Sequence, residues 1–305
     1  MQLGCSLMLF YSSVLMRKER PMNRFVVVTD STANLPPELV AEYDIPIIPL
    51  TVHWGEETYL DGIDLDAPTF YKWLQERQTF PTTSQPSPGA FIEFFRSVAE
   101  KYETTHILGI FISAELSGTL ASAIQAKAEM PDLHIELIDS RSVSMGLGMQ
   151  VLVAARAARE GQPLEVAIER VQHVRDNMQI VFAVDTLEYL HRGGRIGGAA
   201  RLLGTALNLK PVLHIEDGKV MPLEKVRMRR KSLQRVVEIL KERADGRPLA
   251  AVAVIHAQAE EDANLMQGWI KELFAPEVMY CTLLTPVVGT HAGPGTIGVA
   301  FYVAD

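Results

Sequence analysis

Residues 182–219 read FAVDTLEYLHRGGRIGGAARLLGTALNLKPVLHIEDGK, and the predicted fold is organised around this stretch. It joins a short apolar strand, a cluster of glycines and arginines, and a cationic helix. The four glycines between Arg192 and Arg201 remove side chains where the backbone turns sharply or approaches another group closely. Arg192, Arg195 and Arg201 surround this bare backbone with positive charge, which suits a carboxylate or a phosphate. A glycine-rich turn with solvated arginines is the simpler alternative.

The sequence around this stretch predicts a sheet that is not purely parallel. Residues 211–215 and 219–226 are two predicted strands, and Glu216-Asp217-Gly218 between them is a hairpin turn. Hairpins mixed with strand-helix-strand steps indicate a mixed or antiparallel sheet with helices on one face, an α+β arrangement. The remaining predicted elements are helices at 163–175, 228–243 and 260–273 and strands at 179–184, 249–256, 278–284 and 296–303.

The N-terminal half has a different rhythm. Residues 24–29, RFVVVT, form a continuous apolar run that is typical of a strand buried on both faces of a parallel sheet. Alternation of such strands with helices predicts an α/β domain with a doubly wound, mostly parallel sheet. The other predicted strands are 45–52, 106–112 and 134–139, whereas 59–66 and 285–295 are interpreted as loops.

A domain boundary is predicted at Gly161-Gln162-Pro163, where glycine and proline interrupt the helical pattern. The N-terminal domain then covers 22–162 and the C-terminal domain 163–305. Residues 1–21 do not have the order of a signal peptide, because their apolar part precedes the charges of RKER instead of following them. They are interpreted as an upstream extension that is expected to be poorly ordered. Met22 is the expected start, and a membrane-touching tail is the alternative.

Charge is distributed unevenly along the chain. The net charge is -8, which argues against nucleic-acid binding by bulk charge. Between Arg192 and Arg235, however, eleven lysines and arginines face only three acidic residues. This basic segment predicts an anionic ligand, an acidic partner or transient contact with membrane headgroups, with a solvated helix face as the alternative. Two cysteines far apart in sequence indicate a cytoplasmic setting, and the scattered histidines predict no metal.

Four segments offer groups that could hold an anion. Residues 82–87 place hydroxyls on a proline-stiffened backbone, and Ser117-Gly118-Thr119 falls at a predicted helix N-terminus. Arg195 and His291 are the other two. No nucleophile elbow, phosphate loop or dinucleotide fingerprint occurs in the sequence. Neutral hydroxyls with one imidazole therefore favour holding a carboxylate over breaking a bond.

Five motifs resemble the DegV family of bacterial fatty-acid-binding proteins, and they occur in the family's order over residues 25–303. They are DSTANLP at 30–36, TSQPS at 83–87, LSGT at 116–119, LEYLHRGGRI at 187–196 and GTHAGPG at 289–295. The resemblance implies a lipid-binding protein with two α/β domains and a tunnel between them for one long-chain fatty acid. It implies no catalytic residue and no cofactor.

The resemblance also implies a partner and a set of site residues. Some relatives are binding subunits of bacterial fatty acid kinase: they present the carboxylate to a separate kinase subunit, which makes an acyl phosphate for phospholipid synthesis. Arg195 would lie near the tunnel mouth, and Arg195 and Arg201 would serve head-group binding or kinase docking. The residues expected at the fatty-acid carboxylate are Thr83, Ser117 and His291, with Ser84, Gly118 and Thr119 close by.

Two other functions remain open at this stage. The first is a hydrolase or phosphotransferase in which Ser117 is the nucleophile and His291 the base, with Asp30 as the only candidate to orient the histidine. The second is a regulatory lipid sensor without a kinase partner, which the sequence does not distinguish from a carrier.

Overall fold

The computed structural model describes residues 25–204 and 209–304, so the predicted extension at 1–21 lies outside the described residues. Its N-terminal half alternates strands and helices as expected. The strands are β1 (Val26–Asp30), β2 (Ile47–Ile48), β3 (Thr51–Trp54), β4 (Glu57–Leu60), β5 (Thr82–Ser84), β6 (His106–Phe111) and β7 (His134–Asp139). The helices are α1 (Pro37–Tyr43), α2 (Ala67–Glu76), α3 (Pro88–Tyr102), α4 (Thr119–Ala128) and α5 (Met145–Arg159).

Four of these strands form a parallel sheet in the order β2-β1-β6-β7. Its strands are apolar on both faces because helices cover both. On one face Val26 and Val28 pack with Phe91, Phe95 and neighbouring side chains of α3 and α4. The other face packs against α5. The predicted doubly wound parallel sheet is confirmed.

A small antiparallel sheet, β4-β3-β5, corrects two sequence predictions. The predicted strand at 45–52 is divided, because Pro49 lacks the N–H that a continuous ladder needs. The predicted loop at 59–66 begins as β4, which pairs with β3 across a turn at Gly55, where φ is +66°. The hydroxyl run at 82–87 supplies β5, so its first three residues are fixed in a sheet.

The C-terminal half contains a six-stranded mixed sheet in the order β10-β9-β8-β13-β11-β12. Only the pair β11-β12 is parallel. Its strands are β8 (Gln179–Ala183), β9 (Val212–Glu216), β10 (Lys219–Glu224), β11 (Leu249–His256), β12 (Met279–Leu283) and β13 (Ile297–Val303). The helices are α6 (Leu164–Asn177), α7 (Glu188–Arg192), α8 (Arg229–Ala244), α9 (Glu260–Phe274) and α10 (Pro286–Ala292). The β9-β10 turn has positive φ at Asp217 and Gly218, as a tight hairpin requires.

Helix α5 lies between the two large sheets and joins them into one apolar core. Leu152 and its neighbours on α5 share a cluster with Leu108 of β6 and Ala253 of β11. The prediction of helices on one face of the C-terminal sheet is therefore incomplete: α8 and α9 cover one face, and α5 and α6 pack against the other. The boundary near 162 falls between α5 and α6, and the division into 22–162 and 163–305 stays a proposal.

The glycine-rich segments also differ from expectation. The predicted loop at 285–295 is largely helix α10, which starts with Pro286 in its first turn, a position where proline loses no hydrogen bond. Gly289 within α10 faces Tyr71, whose hydroxyl would lie only 2.6 Å from an added Cβ. The predicted cationic helix is instead two short pieces, α7 and the 3-10 turn Gly197–Leu202.

Candidate functional site

A cavity lies between the mixed sheet, the small sheet and the loops at the carboxyl ends of the parallel strands. Its empty volume is about 920 Å³, including space open to solvent at the mouth. This is the size of a small-molecule site. Polar groups gather where α10, β5 and the Leu116-Ser117 turn meet, and we call this region the polar end. Most of the remaining wall is aliphatic or aromatic, formed by Ile112, Val143, Ile180, Phe182, Ile215, Ile255, Leu284, Val287 and Val288, with Thr32, Ser144 and Thr296 as its polar members.

His291 and Thr83 form a hydrogen bond at the polar end, with 2.7 Å between Nε2 and Oγ1. Burial, together with the positive charge of Arg195, lowers the pKa of His291 to about 4, so the ring is neutral at pH 7. Nδ1 is buried without a hydrogen-bond partner. An unpaired acceptor costs less here than an unpaired N–H, so we assign the proton to Nε2, which then donates to Thr83. The Thr83 hydroxyl is thereby left as a donor that can point into the cavity.

Gly193 explains why the ring of His291 lies where it does. A Cβ at Gly193 would collide with Nδ1 and the adjoining ring carbon of His291. The absence of a side chain at position 193 therefore lets the glycine-arginine segment close over the imidazole. The same segment packs closely on β10 at Gly197. The φ of Gly197 is +52°, and an added Cβ there would clash with the carbonyl oxygen of Val220.

Ser117 approaches the same cavity from the parallel sheet. Its hydroxyl lies 2.9 Å from the hydroxyl of Thr119 and accepts a 3.3 Å hydrogen bond from the Thr119 amide. Ser117 lines the cavity, whereas Gly118 and Thr119 do not, and Thr119 is fully buried. Gly118 instead packs against the side-chain amide of Gln85, 2.9 Å from the position of an added Cβ. Of this predicted trio, only Ser117 is therefore exposed to a ligand.

Two residues near the polar end, His53 and Gln85, were not among the predicted site residues. His53 on β3 forms a 2.8 Å hydrogen bond between its Nε2 and the Oγ of Ser84, a residue of the cavity wall. Gln85 lines the cavity beside Ser84. His53 carries no local motif, and only the pairing of β3 with β5 brings it near Ser84. Gln85 lies within the quoted TSQPS segment, so the motif itself was a usable signal.

Arg195 also borders the cavity, held by two backbone carbonyls. Its Nε donates to Leu116 at 3.0 Å and its Nη1 to Gly193 at 2.7 Å. Within residues 25–204 and 209–304 no carboxylate forms an ion pair with Arg195, so its charge is available to an anion. Arg201 is placed differently: it is exposed, does not line the cavity and donates a long hydrogen bond, 3.4 Å, to the Pro222 carbonyl.

The arrangement needed by a Ser117–His291 hydrolase is not assembled. Ser117 bonds to Thr119, and His291 bonds to Thr83. Asp30 does not orient His291, which corrects that expectation: its carboxylate accepts from the backbone amides of Thr32 and Ile112, at 2.9 and 2.8 Å. Burial raises the pKa of Asp30, against the effect of these hydrogen bonds. Asp30 therefore ties the end of β1 to the end of β6.

Two further observations concern metals and membranes. Across the described ranges, no three His, Cys, Asp or Glu side chains come together as a metal site. In the same part of the chain, no helix has the length and apolar character to cross a bilayer.

Comparison with known proteins gives consistent results. The sequence model of the DegV family, described as uncharacterised proteins, matches residues 24–304. Protein DegV of Bacillus subtilis is 36% identical over 280 residues, covering 90% of this chain and 98% of that protein. A Thermus thermophilus DegV family structure, described for its fatty acid binding, has a TM-score of 0.86, 34% identity and coverage of 92% and 100%. A stearic-acid-binding protein from Eubacterium ventriosum has a TM-score of 0.83, 26% identity and coverage of 92% and 98%.

Proposed function

Because this chain belongs to the DegV family, we propose that it binds one long-chain fatty acid in the cavity, with the carboxylate at the polar end. The observation that supports this most is a largely apolar cavity with a cluster of donors at its polar end: the hydroxyls of Thr83 and Ser117, and Arg195, which forms no ion pair within the described residues. A buried carboxylate needs several such donors to offset its desolvation. The fatty acids that the two compared structures are described as binding combine such a carboxylate with an apolar tail.

In this proposal the carboxylate accepts hydrogen bonds from Thr83 and Ser117, while His291 orients Thr83. Ser84 and Arg195 lie beside them, and Gly118 and Thr119 shape the turn that presents Ser117. The tail supplies most of the affinity: burying about sixteen carbons at about 0.8 kcal/mol each contributes roughly 12 kcal/mol before the costs of association. The polar end then mainly fixes the orientation of the ligand.

Native mass spectrometry of the purified protein tests the proposal directly. We expect a co-purifying mass equal to one long-chain fatty acid, or uptake of one equivalent of added palmitate or oleate. Protein that carries no lipid and takes up neither acid would contradict the proposal. The identity of the lipid would also establish its length and unsaturation.

Replacing Thr83 by valine removes the hydroxyl and keeps the shape. We expect affinity for palmitate to fall about tenfold, because one hydrogen bond to a charged group contributes about 1.5 kcal/mol. Titration calorimetry of Thr83→Val against wild type measures the change. Thr82→Val is the control, since Thr82 is the exposed neighbour on the same strand. Equal affinities for wild type and Thr83→Val would place the carboxylate elsewhere.

We further propose that the bound acid is presented to a separate kinase subunit in a cytoplasmic setting, and that the exposed basic residues form the docking surface. Arg201, Lys225, Arg227 and Arg230 are exposed and, among the described residues, form no ion pair. Lys225–Arg230 directly follow β10, which Arg201 contacts at Pro222. Such a surface suits an acidic partner, and it would also attract anionic membrane headgroups.

Arg201→Glu tests the docking surface. We expect acyl phosphate formation with purified kinase and ATP to slow on the order of tenfold at low salt, and less at high salt, with fatty acid affinity unchanged. Lys72→Glu on α2 is the control, an exposed cation remote from this sequence segment. Equal rates for wild type and Arg201→Glu would make Arg201 an ordinary solvated residue.

Arg229 is unsuitable for this test although it lies in the same segment. It forms ion pairs with Asp185 at 3.2 Å and Asp262 at 2.7 Å, so a glutamate there would face two carboxylates. Its reversal would disturb the packing of α8 against α9 and β8, whatever the partner.

The hydrolase alternative is tested with Ser117→Ala. Loss of acyl or phosphoryl ester turnover in this variant would support catalysis, and an unchanged background rate would exclude Ser117 as a nucleophile. A pull-down that retains no kinase would favour the lipid-sensor alternative. Vesicle co-sedimentation tests transient membrane contact separately.

A further inference from the structure

Ile180 and Ile215 line two cavities at once. One is the cavity assigned above to the fatty acid, and the other is a polar cleft with an empty volume of about 1010 Å³, also including open solvent. The cleft is bordered by charged and polar side chains, among them Arg175, His214 and Arg243. Two isoleucine side chains therefore separate an apolar chamber from a charged, water-accessible one.

The register of the mixed sheet brings the two isoleucines of this partition together. Ile297, the first residue of β13, pairs with Ala183, and Ala300 pairs with Ile180. Ile180 therefore lies three residues, roughly 10 Å, along the sheet from the start of β13, the strand that follows α10. Ile215 follows His214, which pairs with Val181, and the antiparallel register brings it opposite Ile180. The two side chains therefore stand next to each other between the two cavities.

Neighbouring elements support both isoleucines. Ile180 packs on Gly146 of α5 so closely that an added Cβ there would lie 2.5 Å from its Cδ1. The hairpin that carries Ile215 is anchored at its turn, where the Ser113 hydroxyl donates to the Gly218 carbonyl at 2.9 Å. An ion pair between Lys219 and Glu115, at 3.3 Å, holds the start of β10 to the same loop.

We propose that Ile180 and Ile215 form an end wall that sets the longest acyl chain the protein accepts, an inference that rests on the proposed fatty acid binding. A chain too long for the chamber has to push its methyl end past the wall into the polar cleft. There each methylene loses its apolar surroundings, about a fourfold loss of affinity for each one. The wall therefore discriminates by length and leaves head-group recognition unchanged.

The test measures chain-length preference in Ile180→Ala and Ile215→Ala. Each variant is incubated with an equimolar mixture of saturated C14, C16, C18, C20 and C22 fatty acids, and the bound lipids are quantified by native mass spectrometry. We expect the ratio of C20 and C22 to C16 to rise about tenfold over wild type, because removing wall carbons makes room for about two more methylenes. Ile180→Val and Ile215→Val shift the ratio in the same direction by less, and serve if an alanine variant does not fold.

Val288→Ala is the matched control. Val288 lines the cavity on α10, the helix that carries His291, so its truncation should weaken binding of all lengths without changing their ratios. If the wall variants bind C16 and show the same ratios among the five acids as wild type, the end-wall proposal is overturned, while the proposed fatty acid binding stands. Wild-type protein that binds none of the five acids would instead overturn the proposed function.

Discussion

Ala292→Trp is expected to abolish measurable fatty acid binding while leaving the fold intact. Ala292 ends α10 and lines the cavity next to His291, so an indole at this position projects into the space assigned to the first part of the tail. Excluding about five methylenes removes about 4 kcal/mol, roughly a thousandfold in affinity. Titration with palmitate and a thermal unfolding curve measure the two effects separately.

The control for this substitution is Ala41→Trp, which introduces the same side chain on exposed α1. It should bind fatty acid like wild type. If Ala292→Trp also binds with unchanged affinity and stoichiometry, the lipid occupies another part of the molecule and the cavity assignment fails.

The second large effect concerns Asp61, a buried carboxyl group beneath α10. The backbone N–H of Val287 donates to its Oδ1 at 3.1 Å, which helps to cap the helix that carries His291. Its Oδ2 and the Thr285 hydroxyl are both buried, and neither forms a hydrogen bond of ordinary length and angle. The Ser31 and Thr285 hydroxyls are still close enough to lower the pKa of Asp61, against the effect of burial. Burial raises the pKa of Asp61 to about 7, and the neighbouring Asp30 adds to this effect.

Asp61 therefore destabilises the protein as pH rises. Its pKa is higher in the folded than in the unfolded chain, so the native state binds the extra proton, and the free energy of unfolding falls between about pH 4 and pH 7. In Asp61→Asn the amide has no charge to desolvate, keeps an acceptor for Val287 and can donate to Thr285. We expect its stability advantage over wild type to grow by about 3 kcal/mol from pH 5 to pH 8.

Urea unfolding of wild type and Asp61→Asn at pH 5, 6, 7 and 8 measures this difference. Glu56→Gln, which removes an exposed carboxylate from the same small-sheet region, should run parallel to wild type at every pH. A constant difference between Asp61→Asn and wild type across the series would show that Asp61 does not titrate in this range.

Much of the fold was predictable because the signals are local. The continuous apolar run at 24–29 predicted a strand buried on both faces, and β1 is covered by helices on both sides. The hairpin at Glu216-Asp217-Gly218 formed where turn chemistry requires positive φ. The prediction of a loop at 285–295 was wrong, because its three glycines and two prolines favoured a loop over a helix. In the structure Pro286 begins α10, and Gly289 lies within the helix, where a side chain would clash with Tyr71.

The sequence by itself determined most of the strands and helices of this protein and indicated candidate residues for the polar end, since propensity, turn chemistry and motifs depend on near neighbours. The hydrogen bond between Thr83 and His291, 208 residues apart, depends on how the small sheet packs against α10. Other tertiary contacts decided that Gly193 meets the imidazole, that His53 supports Ser84 and that Ile180 faces two cavities. The physical reason is that a cavity is what the packing of distant elements leaves unfilled, so no single segment of the sequence specifies its shape.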